Sequence, residues 1–449
     1  MRIAATVHQF PPGFETGTEI LCLRTAQALK ARGHTLRVFA ADPTLNAGRP
    51  PRLDRVEDIE VVRIPTRRPR RVTLTRRLSD EFQNPAAQRW LIDSLRSFRP
   101  DLIHGYQAQQ LGLAALPELA DLAPLIVTAT DFHLACPLAT ASYEDGGACD
   151  GPRPDGANCL AHIEAREARR LEAARSSARI ALRARTYAGR LALTMDNTTR
   201  RRAMARARYL ASAAALTSAG MVLAGSERIR DMLVRCGAAA DRAEVLPHAA
   251  PPTHVPEKPS GGVLRFSFLG TISPHKGPHV FLDAIARIPR DAGAVFTICG
   301  PAGPDGAYSA AIAKRASADP RITLLPPVPN SKFGQLIGDA DVIVVPSLWD
   351  ENSPLTLLTA LEAGRFAIVS DTPGLAADVK APLGGETFAA GDVEALADII
   401  LKLARDHSRI EAVRHAPVRR PAFAAYIDAL ELRYEQAMAR QTGAAGRKS

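Results

Sequence analysis

The sequence predicts an α/β protein with two domains, each built around a parallel β-sheet. At 449 residues the chain is too long for a single hydrophobic core of ordinary size. Along both halves, apolar runs of strand length alternate with segments in which apolar residues recur at helical spacing. Between the halves, residues 249–259 are rich in proline and polar residues, as is typical of a linker.

The first domain is expected to span residues 1–248. A helix over residues 19–31 follows the first strand and is closed by Gly33. A loop over residues 136–162 and an arginine-rich helical insertion over residues 163–210 interrupt the alternation. The strands expected in this domain cover residues 2–7, 35–41, 59–64, 101–104, 125–130, 220–224 and 244–247.

The second domain is expected to span residues 260–410. Its most informative part lies between two apolar runs, residues 341–345 and 366–370. The distance between these runs accommodates one helix, which makes a right-handed strand–helix–strand unit. The loop before that helix lies at the carboxyl edge of the sheet, where open α/β sheets bind their ligands. A helical tail, residues 411–449, follows this domain and contains a helix over residues 423–440.

The loop that enters this helix has the residues expected of a phosphate site. Pro354 fits the first helical position, and Ser353, which the proline keeps out of helical geometry, is expected to cap the helix. The free N–H groups at Leu355 and Thr356 and the positive end of the helix dipole favour an anion. Glu351 would repel that anion, so we expect it to contact hydroxyl groups of a moiety attached to the phosphate.

A second loop of the same design follows an apolar strand at residues 266–269. Lys276 lies two residues before a helix expected to start at Pro278, so a mobile cation joins a second helix dipole. Two such loops in one domain favour a diphosphate held between them.

Both loops resemble those of the family 4 retaining glycosyltransferases, whose GT-B fold has two facing Rossmann-like domains and a deep cleft between them. The family pattern is Lys-Gly followed by Pro-Ser-x-x-x-Glu-x-Ser-Pro, with a second glutamate eight positions after the first. Residues 16–19 resemble the family's Gly-Gly-x-Glu loop, residues 101–104 its Asp-x-x-His strand, and residues 130–137 its His-Asp-aromatic segment ending in Cys-Pro. The resemblance therefore extends over most of the chain. In GT-B proteins a C-terminal helix commonly crosses back onto the first domain.

The resemblance implies transfer of a sugar from a nucleoside-diphosphate donor to a polysaccharide, glycolipid or other glycan, with retention and without a catalytic cofactor or metal. Lys276 would stabilise the departing diphosphate and Glu351 would orient the sugar. Asp131 and His133 are also expected to be catalytic. The residues expected to bind the donor are Gly270, Thr271, His275, Ser353, Pro354, Leu355, Thr356, Thr359 and Glu362. The residues expected on the acceptor side are Thr16, Gly17 and His104.

Three positions depart from the family pattern. Thr359 replaces the second glutamate, although Glu362 lies on the same helical face and could substitute for it. Thr271 replaces a phosphate-binding arginine, and Thr130 replaces the histidine of His-Asp. Two alternatives therefore stay open. One is a catalytically impaired GT-B protein that acts as a membrane-associated scaffold or as a partner of another glycosyltransferase, and the other is a nucleotide-sugar epimerase.

The positive charge of the chain is concentrated in the first domain. The net charge is +10, and residues 161–210 hold thirteen arginines against four acids. These arginines form either a solvated helix face or a surface attracted to anionic membrane. Arg67, Arg68, Arg70 and Arg71 are expected to face the membrane in the same way. Only two tyrosines interleave the run at 161–210, so nucleic acid is not favoured as a partner.

The sequence also predicts a cytoplasmic location and leaves open a peripheral position on the inner membrane face. It has no apolar stretch near 18 residues, and its start lacks the apolar region of a signal peptide. Six cysteines over this length do not form a disulfide framework.

Three of those cysteines and a histidine are close together in the sequence. Cys136, Cys149, Cys159 and His162 lie within 27 residues, and Cys159-x-x-His162 has the spacing of zinc ligands. A structural zinc site and a set of free thiols are the two interpretations of this group.

Overall fold

The computed structural model describes residues 1–67, 78–80, 82–143, 147–176, 198–257, 262–303, 305–379, 384–416 and 421–445. The chain forms two compact units. The first contains Met1–Glu144, Cys149–Leu246 and Ile427–Ser449, and the second contains Asp145–Ala148 and Pro247–Tyr426. Each unit is built around a largely parallel sheet with helices, which confirms the predicted α/β class.

The first unit contains an eight-stranded sheet. Its strands in chain order are β1 (Arg2–Val7), β2 (Thr35–Asn46), β3 (Arg52–Val56), β4 (Ile59–Arg67), β5 (Leu102–Gly105), β6 (Leu125–Ala129), β7 (Met221–Ala224) and β8 (Ala243–Val245). Their order across the sheet is β3-β4-β2-β1-β5-β6-β7-β8. The direction in which strands are added reverses between β1 and β5, so this is the topological switch point where ligands of such sheets bind.

One strand of this sheet was missing from the sequence prediction. The strand β3 pairs antiparallel with β4, whereas the other neighbours in the sheet are parallel. Its sequence carries two arginines and an aspartate within five residues. An exposed edge strand of this kind lacks the apolar run by which the buried strands were predicted.

The helices of the first unit surround this sheet. They are α1 (Gly17–Ala31), α2 (Pro85–Phe98), α3 (Leu116–Leu122), α4 (Ala157–Ser176), α5 (Thr198–Ser218) and α6 (Glu227–Arg235). The expected loop over residues 136–162 is shorter than predicted because α4 begins at Ala157. The carboxylate of Asp155 accepts a hydrogen bond from the N–H of Ala157 at 3.1 Å and so stabilises this helix start.

The C-terminal helix α14 (Phe423–Ala445) completes the first unit from Ile427 onward. The hydroxyl of Tyr434, a fully buried residue, lies 2.7 Å from Nδ1 of His104 in β5. Glu431 binds Arg32 and lies 2.7 Å from the ring of His34, just after α1. The end of the chain is therefore part of the packing of the N-terminal unit.

The second unit contains a six-stranded parallel sheet. Its strands are β9 (Leu264–Leu269), β10 (Ala294–Cys299), β11 (Ile322–Leu325), β12 (Val342–Val345), β13 (Phe366–Ser370) and β14 (Gly385–Phe388), and their order is β11-β10-β9-β12-β13-β14. Its helices are α7 (Pro278–Arg287), α8 (Gly306–Ala316), α9 (Phe333–Asp339), α10 (Leu355–Glu362), α11 (Pro373–Val379), α12 (Val393–Arg405) and α13 (Ser408–His415). The switch point of this sheet lies between β9 and β12.

The core of the second unit contains four phenylalanines that are at most 1% exposed: Phe266, Phe281, Phe296 and Phe366. Phe296 packs edge-on against Phe281 and lies beside Phe266. Burying one such side chain stabilises a fold by about 1.5–3 kcal/mol. These residues fix β9, α7 and β13, and thereby hold the carboxyl ends of the central strands in place.

Most of the arginines expected to face a membrane lie outside the described residues. Arg68, Arg70 and Arg71 lie outside the described residues, and Arg67 is described only as the last residue of β4. Within the described part of the chain, no helix combines the length and the apolar character needed to cross a membrane.

Candidate active site

The two loops that the sequence singled out meet at the switch point of the second sheet. The N–H of Leu348, after β12, donates to the carbonyl of His275, after β9, at 2.8 Å. Gly277 has a φ of 69°, and a Cβ built there would lie 1.9 Å from the carbonyl oxygen of Pro346. Only glycine therefore allows this conformation and this close approach. The ring of His275 also packs edge-on against Trp349.

An ion pair joins the two loops at their centre. The ammonium of Lys276 lies 2.7 Å and 2.8 Å from the two carboxylate oxygens of Glu351. One of these oxygens also accepts hydrogen bonds from the hydroxyl of Ser347 at 2.6 Å and from the indole N–H of Trp349 at 2.9 Å. The same ammonium lies 5.2 Å from the centre of the Trp349 ring. The cation and the acid predicted for this site are thus direct partners.

Glu351 is ionised in this environment. Its burial to 4% exposure raises the pKa of the carboxyl group, but the charge of Lys276 and the three hydrogen-bonding groups lower it by more. The net pKa lies below the ordinary value of a glutamate. Lys276 is more accessible, with 26% of its side chain exposed. The lysine is therefore the partner that can turn toward a bound anion.

The helix start beside this pair differs by one residue from the prediction. The N-cap of α10 is Pro354, with an extended ψ of 124°, and the first helical residue is Leu355. Ser353 has a φ of 48° and so turns the chain in the left-handed region instead of capping the helix. In the described structure no side chain caps α10, so its first N–H groups, including that of Thr356, point out of the helix start.

The backbone of Glu351 is held from the other side by α11. A Cβ built on Gly374 would lie 1.9 Å from the carbonyl oxygen of Glu351. The N–H of Gly374 donates to the carboxylate of Asp350 at 2.9 Å. These contacts fix the position of the acid within the loop.

Two residues expected to bind the donor, Thr359 and Glu362, lie in different environments. Thr359, in place of the family's second glutamate, is 4% exposed, whereas Glu362 is exposed at the last position of α10. The role of Glu362 as a replacement for that glutamate therefore stays a prediction. Thr271 and Gly270 follow β9 directly, and both are partly exposed at the same sheet edge as Lys276.

The first unit has its own cluster of charged groups at its switch point. Nε2 of His8, directly after β1, lies 3.0 Å from a carboxylate oxygen of Glu19 in α1. The hydroxyl of Thr16, the N-cap residue of α1, donates to the other oxygen at 2.5 Å. Burial raises the pKa of Glu19, but the hydrogen bond and charge of His8 lower it below its ordinary value. Gly17 opens α1 and is exposed.

Asp131 lies near this pair, after β6. Its carboxylate accepts hydrogen bonds from the side-chain amide of Gln107 at 2.8 Å and from the N–H of His133 at 2.7 Å. Burial raises the pKa of Asp131, and the charge of Glu19 acts in the same direction. The hydroxyl of Thr130 pairs with that of Thr18 in α1 at 2.8 Å, which links the loop after β6 to α1.

Two histidines predicted for the site have structural environments instead. The ring of His104 is 1% exposed and lies between the hydroxyls of Tyr434 and Thr128, each at 2.7 Å, and burial lowers its pKa to about 3. His133 is also 1% exposed, and burial followed by the charge of Arg208 lowers its pKa well below the usual range. Neither ring is accessible to a ligand, which argues against a direct role.

Sequence reasoning missed His8 and Gln107. His8 is the first residue after a central strand, and Gln107 follows the neighbouring strand β5 by two residues. Polar residues at the carboxyl ends of the strands on either side of a switch point are the signal that could have identified them.

Two parallel-sheet units, each with polar loops at its switch point, define this chain as a two-unit, Rossmann-like α/β protein. Family descriptions match both units: "Glycosyltransferase Family 4" over residues 16–132 and "Glycosyl transferases group 1" over residues 255–416. Together they cover more than half of the chain. The protein belongs to the family 4 glycosyltransferases, as its loops predicted.

Individual relatives are more distant. A D-inositol 3-phosphate glycosyltransferase of Nocardia farcinica is 28% identical over 220 residues, which cover 44% of this chain and 48% of the relative. The chain therefore spans about half the length of this curated relative in the match.

Solved structures match over nearly the whole chain. The sucrose-phosphate synthase of Thermosynechococcus elongatus has a TM-score of 0.64 at 16% identity and covers 98% of this chain and 99% of its own. HepE of Anabaena, in complex with UDP and glucose, has a TM-score of 0.62 at 14% identity. The match covers 97% of this chain and 99% of the HepE chain. At these identities the likeness shows the fold alone, and it confirms the expected GT-B class.

Proposed function

We propose that this protein transfers a sugar from a nucleoside-diphosphate donor to a hydroxyl group of a glycan, glycolipid or related acceptor, with retention of configuration. The observation that supports this most is the Lys276–Glu351 pair, which joins two ligand-edge loops beside the uncapped start of α10. Retention rests on the resemblance to the family.

In this proposal the second unit binds the donor. The diphosphate accepts hydrogen bonds from the N–H groups of Leu355 and Thr356, and the dipole of α10 favours its charge. The ammonium of Lys276 turns from Glu351 to the diphosphate and stabilises the negative charge that develops as the glycosidic bond breaks. Glu351 then accepts hydrogen bonds from sugar hydroxyls, which replace those it loses from the lysine.

The first unit would bind the acceptor. His8 and Glu19 form a charged pair, and Asp131 is held by neutral donors at the same sheet edge. Carboxylates and an imidazole accept hydrogen bonds from the several hydroxyls of a sugar or an inositol. Because the Nocardia relative is named for D-inositol 3-phosphate, this compound is among the first acceptors to test.

The donor half can be tested by binding alone. Thermal unfolding of the full chain would be measured with millimolar UDP, GDP and ADP, starting with UDP because HepE was solved with it. A ligand at 100 times its Kd adds about 2.7 kcal/mol to the free energy of unfolding. We expect a shift with one nucleotide that Lys276→Ala abolishes and that Lys314→Ala, an exposed lysine on α8, retains.

The same experiment decides the main alternative. Thr271 and Thr359 stand where the family has charged donor ligands, which favours a catalytically impaired protein that acts through a partner. No shift with any of the three nucleotides would contradict the transferase proposal and support this alternative. A shift without sugar transfer to any acceptor, but with interconversion of donor sugars, would support the epimerase.

Association with an anionic membrane surface is a further part of the proposal. Arg202, Arg206 and the half-exposed Leu210 lie on the accessible side of α5, whereas Arg208 is buried and Arg201 pairs with Glu164. Each basic residue near such a surface contributes about 1 kcal/mol. Co-sedimentation with phosphatidylserine vesicles and not with phosphatidylcholine vesicles would support it, and equal recovery with both would contradict it.

A further inference from the structure

Away from the candidate active site, the first unit contains a small cavity lined by three cysteines and a histidine. The four side chains are Cys136, Cys149, Cys159 and His162. All three cysteines are free thiols. These are the residues whose sequence spacing allowed a zinc site, and the fold brings them to one cavity from three separate segments.

The backbone holds these segments in fixed positions. Cys159 and His162 are three residues apart on α4, so they lie on the same helix face. The N–H of Cys149 donates to the carbonyl of Ala141 at 2.8 Å, which brings the second cysteine back to the loop that follows Cys136.

The backbone also directs N–H groups at two of the sulfur atoms. The N–H of Gly151 donates to Sγ of Cys149 at 3.4 Å, and the N–H groups of Leu138 and Ala141 hydrogen-bond with the thiol of Cys136. Hydrogen bonds of this kind orient the sulfur atoms toward one another's segments, as contacts around the ligands of a metal site do.

A buried cation lies beside the same sulfur atoms. Arg208 of α5 is 4% exposed and donates to the carbonyls of Leu134 and Ala135 and to that of His133. Burial raises the pKa of the Cys136 and Cys159 thiols, and the charge of Arg208 acts against that shift. Three thiolates and a neutral imidazole around a divalent ion carry one net negative charge, which the guanidinium offsets.

We propose that Cys136, Cys149, Cys159 and His162 form a structural zinc site. Three thiolates and one imidazole are a donor set typical of tetrahedral structural zinc. Throughout the described residues, no group of three or more His, Cys, Asp and Glu side chains is already placed to hold a metal. Binding therefore requires the thiols to change rotamer around the cavity, which moves the sulfur atoms without moving the backbone.

The site would have a mechanical effect on the loop after β6. Zinc would tie the segment at Cys136 to α4, five residues beyond Asp131. A glycine- and proline-rich stretch closed in this way loses less conformational entropy on folding. The zinc proposal does not depend on the proposed glycosyl transfer.

The metal content of the full-length protein tests the proposal. The protein would be expressed with added zinc, purified without chelators and analysed by plasma mass spectrometry. We expect one zinc per chain. Cys159→Ser and His162→Ala should each lose most of it, whereas Cys299→Ser, which changes a buried cysteine in β10, should retain it.

A second measurement covers the case in which a ligand variant fails to fold. The unaltered protein would be stripped of metal under reducing conditions and titrated with cobalt. Thiolate-to-cobalt charge-transfer absorption with tetrahedral d–d bands, displaced by zinc, would support the site. Zinc-free protein that gives no such absorption would overturn the proposal, as would a disulfide among these cysteines in protein purified under reducing conditions or an iron–sulfur spectrum.

Discussion

The charged groups of the two units are held in different ways. In the second unit, a cation and an acid on adjacent loops neutralise each other at 2.7 Å, beside a helix start that favours anions. In the first unit, Glu19 is paired with His8, and Asp131 receives hydrogen bonds from amide groups. In the proposed function, the pair in the second unit would free its cation when an anion binds, whereas the groups of the first unit would accept hydrogen bonds from neutral hydroxyls. This contrast favours a diphosphate in the second unit and a polyhydroxylated acceptor in the first.

The largest expected effect comes from the lysine of the ion pair. Lys276→Ala should lower kcat about 10²–10³-fold, because it removes one preorganised electrostatic stabiliser of the leaving diphosphate. The measurement is product formation by the purified variant over a range of donor concentrations, which separates kcat from KM. Lys314→Ala serves as the control and should leave kcat unchanged. Equal loss in both variants would show that charge in general, and not this position, is responsible.

The contact between the two donor loops can be broken without altering a charge. Gly277→Ala should destabilise the protein by more than about 2 kcal/mol, since it adds a clash with Pro346 to the cost of about 1–2 kcal/mol for a left-handed residue. Gly293→Ala is a matched control: its φ is 70°, but nothing lies within 4 Å of the new Cβ. Denaturant unfolding measures both, and equal losses would rule out the proposed clash.

His104 should make the stability of the first unit depend on pH. Burial lowers its pKa to about 3 in the folded state, whereas an unfolded histidine titrates near 6.5. As the pH falls from 6.5 toward 3, the unfolded state takes up a proton that the folded state does not, so stability falls by up to about 1.4 kcal/mol per pH unit. Chemical denaturation across this range should show a shallower slope in His104→Asn, and an unchanged slope would contradict this origin.

The smallest expected effect concerns the acceptor side. His8→Gln should slow transfer to the acceptor about fivefold, which corresponds to about 1 kcal/mol for one hydrogen bond, and leave hydrolysis of the same donor unchanged. Comparing the rates of transfer and hydrolysis in one assay distinguishes an effect on acceptor binding from an effect on the donor site. A parallel decrease of both rates would place His8 outside acceptor binding.

The parts of the site that lie within one loop could be predicted from the sequence. Lys276 follows β9 by seven residues and Glu351 follows β12 by six, so their place at the sheet edge follows from the local pattern. Their mutual contact could not be predicted, because it joins residues 75 positions apart. The predicted N-cap of α10 was wrong by one residue, because Ser353 takes a left-handed φ and the cap falls on Pro354.

The surroundings of His104 and His8 in the first unit also depend on distant parts of the chain. His104 resembled a ligand residue because it ends a strand, but its partner Tyr434 is 330 residues away and fills the space beside it. His8 belongs to no sequence motif. Its contact with a carboxylate arises because α1 places Glu19 beside it. The strand alternation depends on local patterns and was predictable, whereas these partners depend on the tertiary fold.

The position of α14 has a consequence for synthesis of the protein on the ribosome. The second unit is almost continuous in sequence, from Pro247 to Tyr426, whereas the first needs the part of α14 that begins at Ile427. A ribosome that has translated the first 246 residues has therefore not yet supplied Tyr434 for the buried ring of His104. Although domains usually fold in order from the N-terminus, here the later unit can complete its core first. The unit whose first strands are made earliest therefore becomes complete only after α14 has left the exit tunnel.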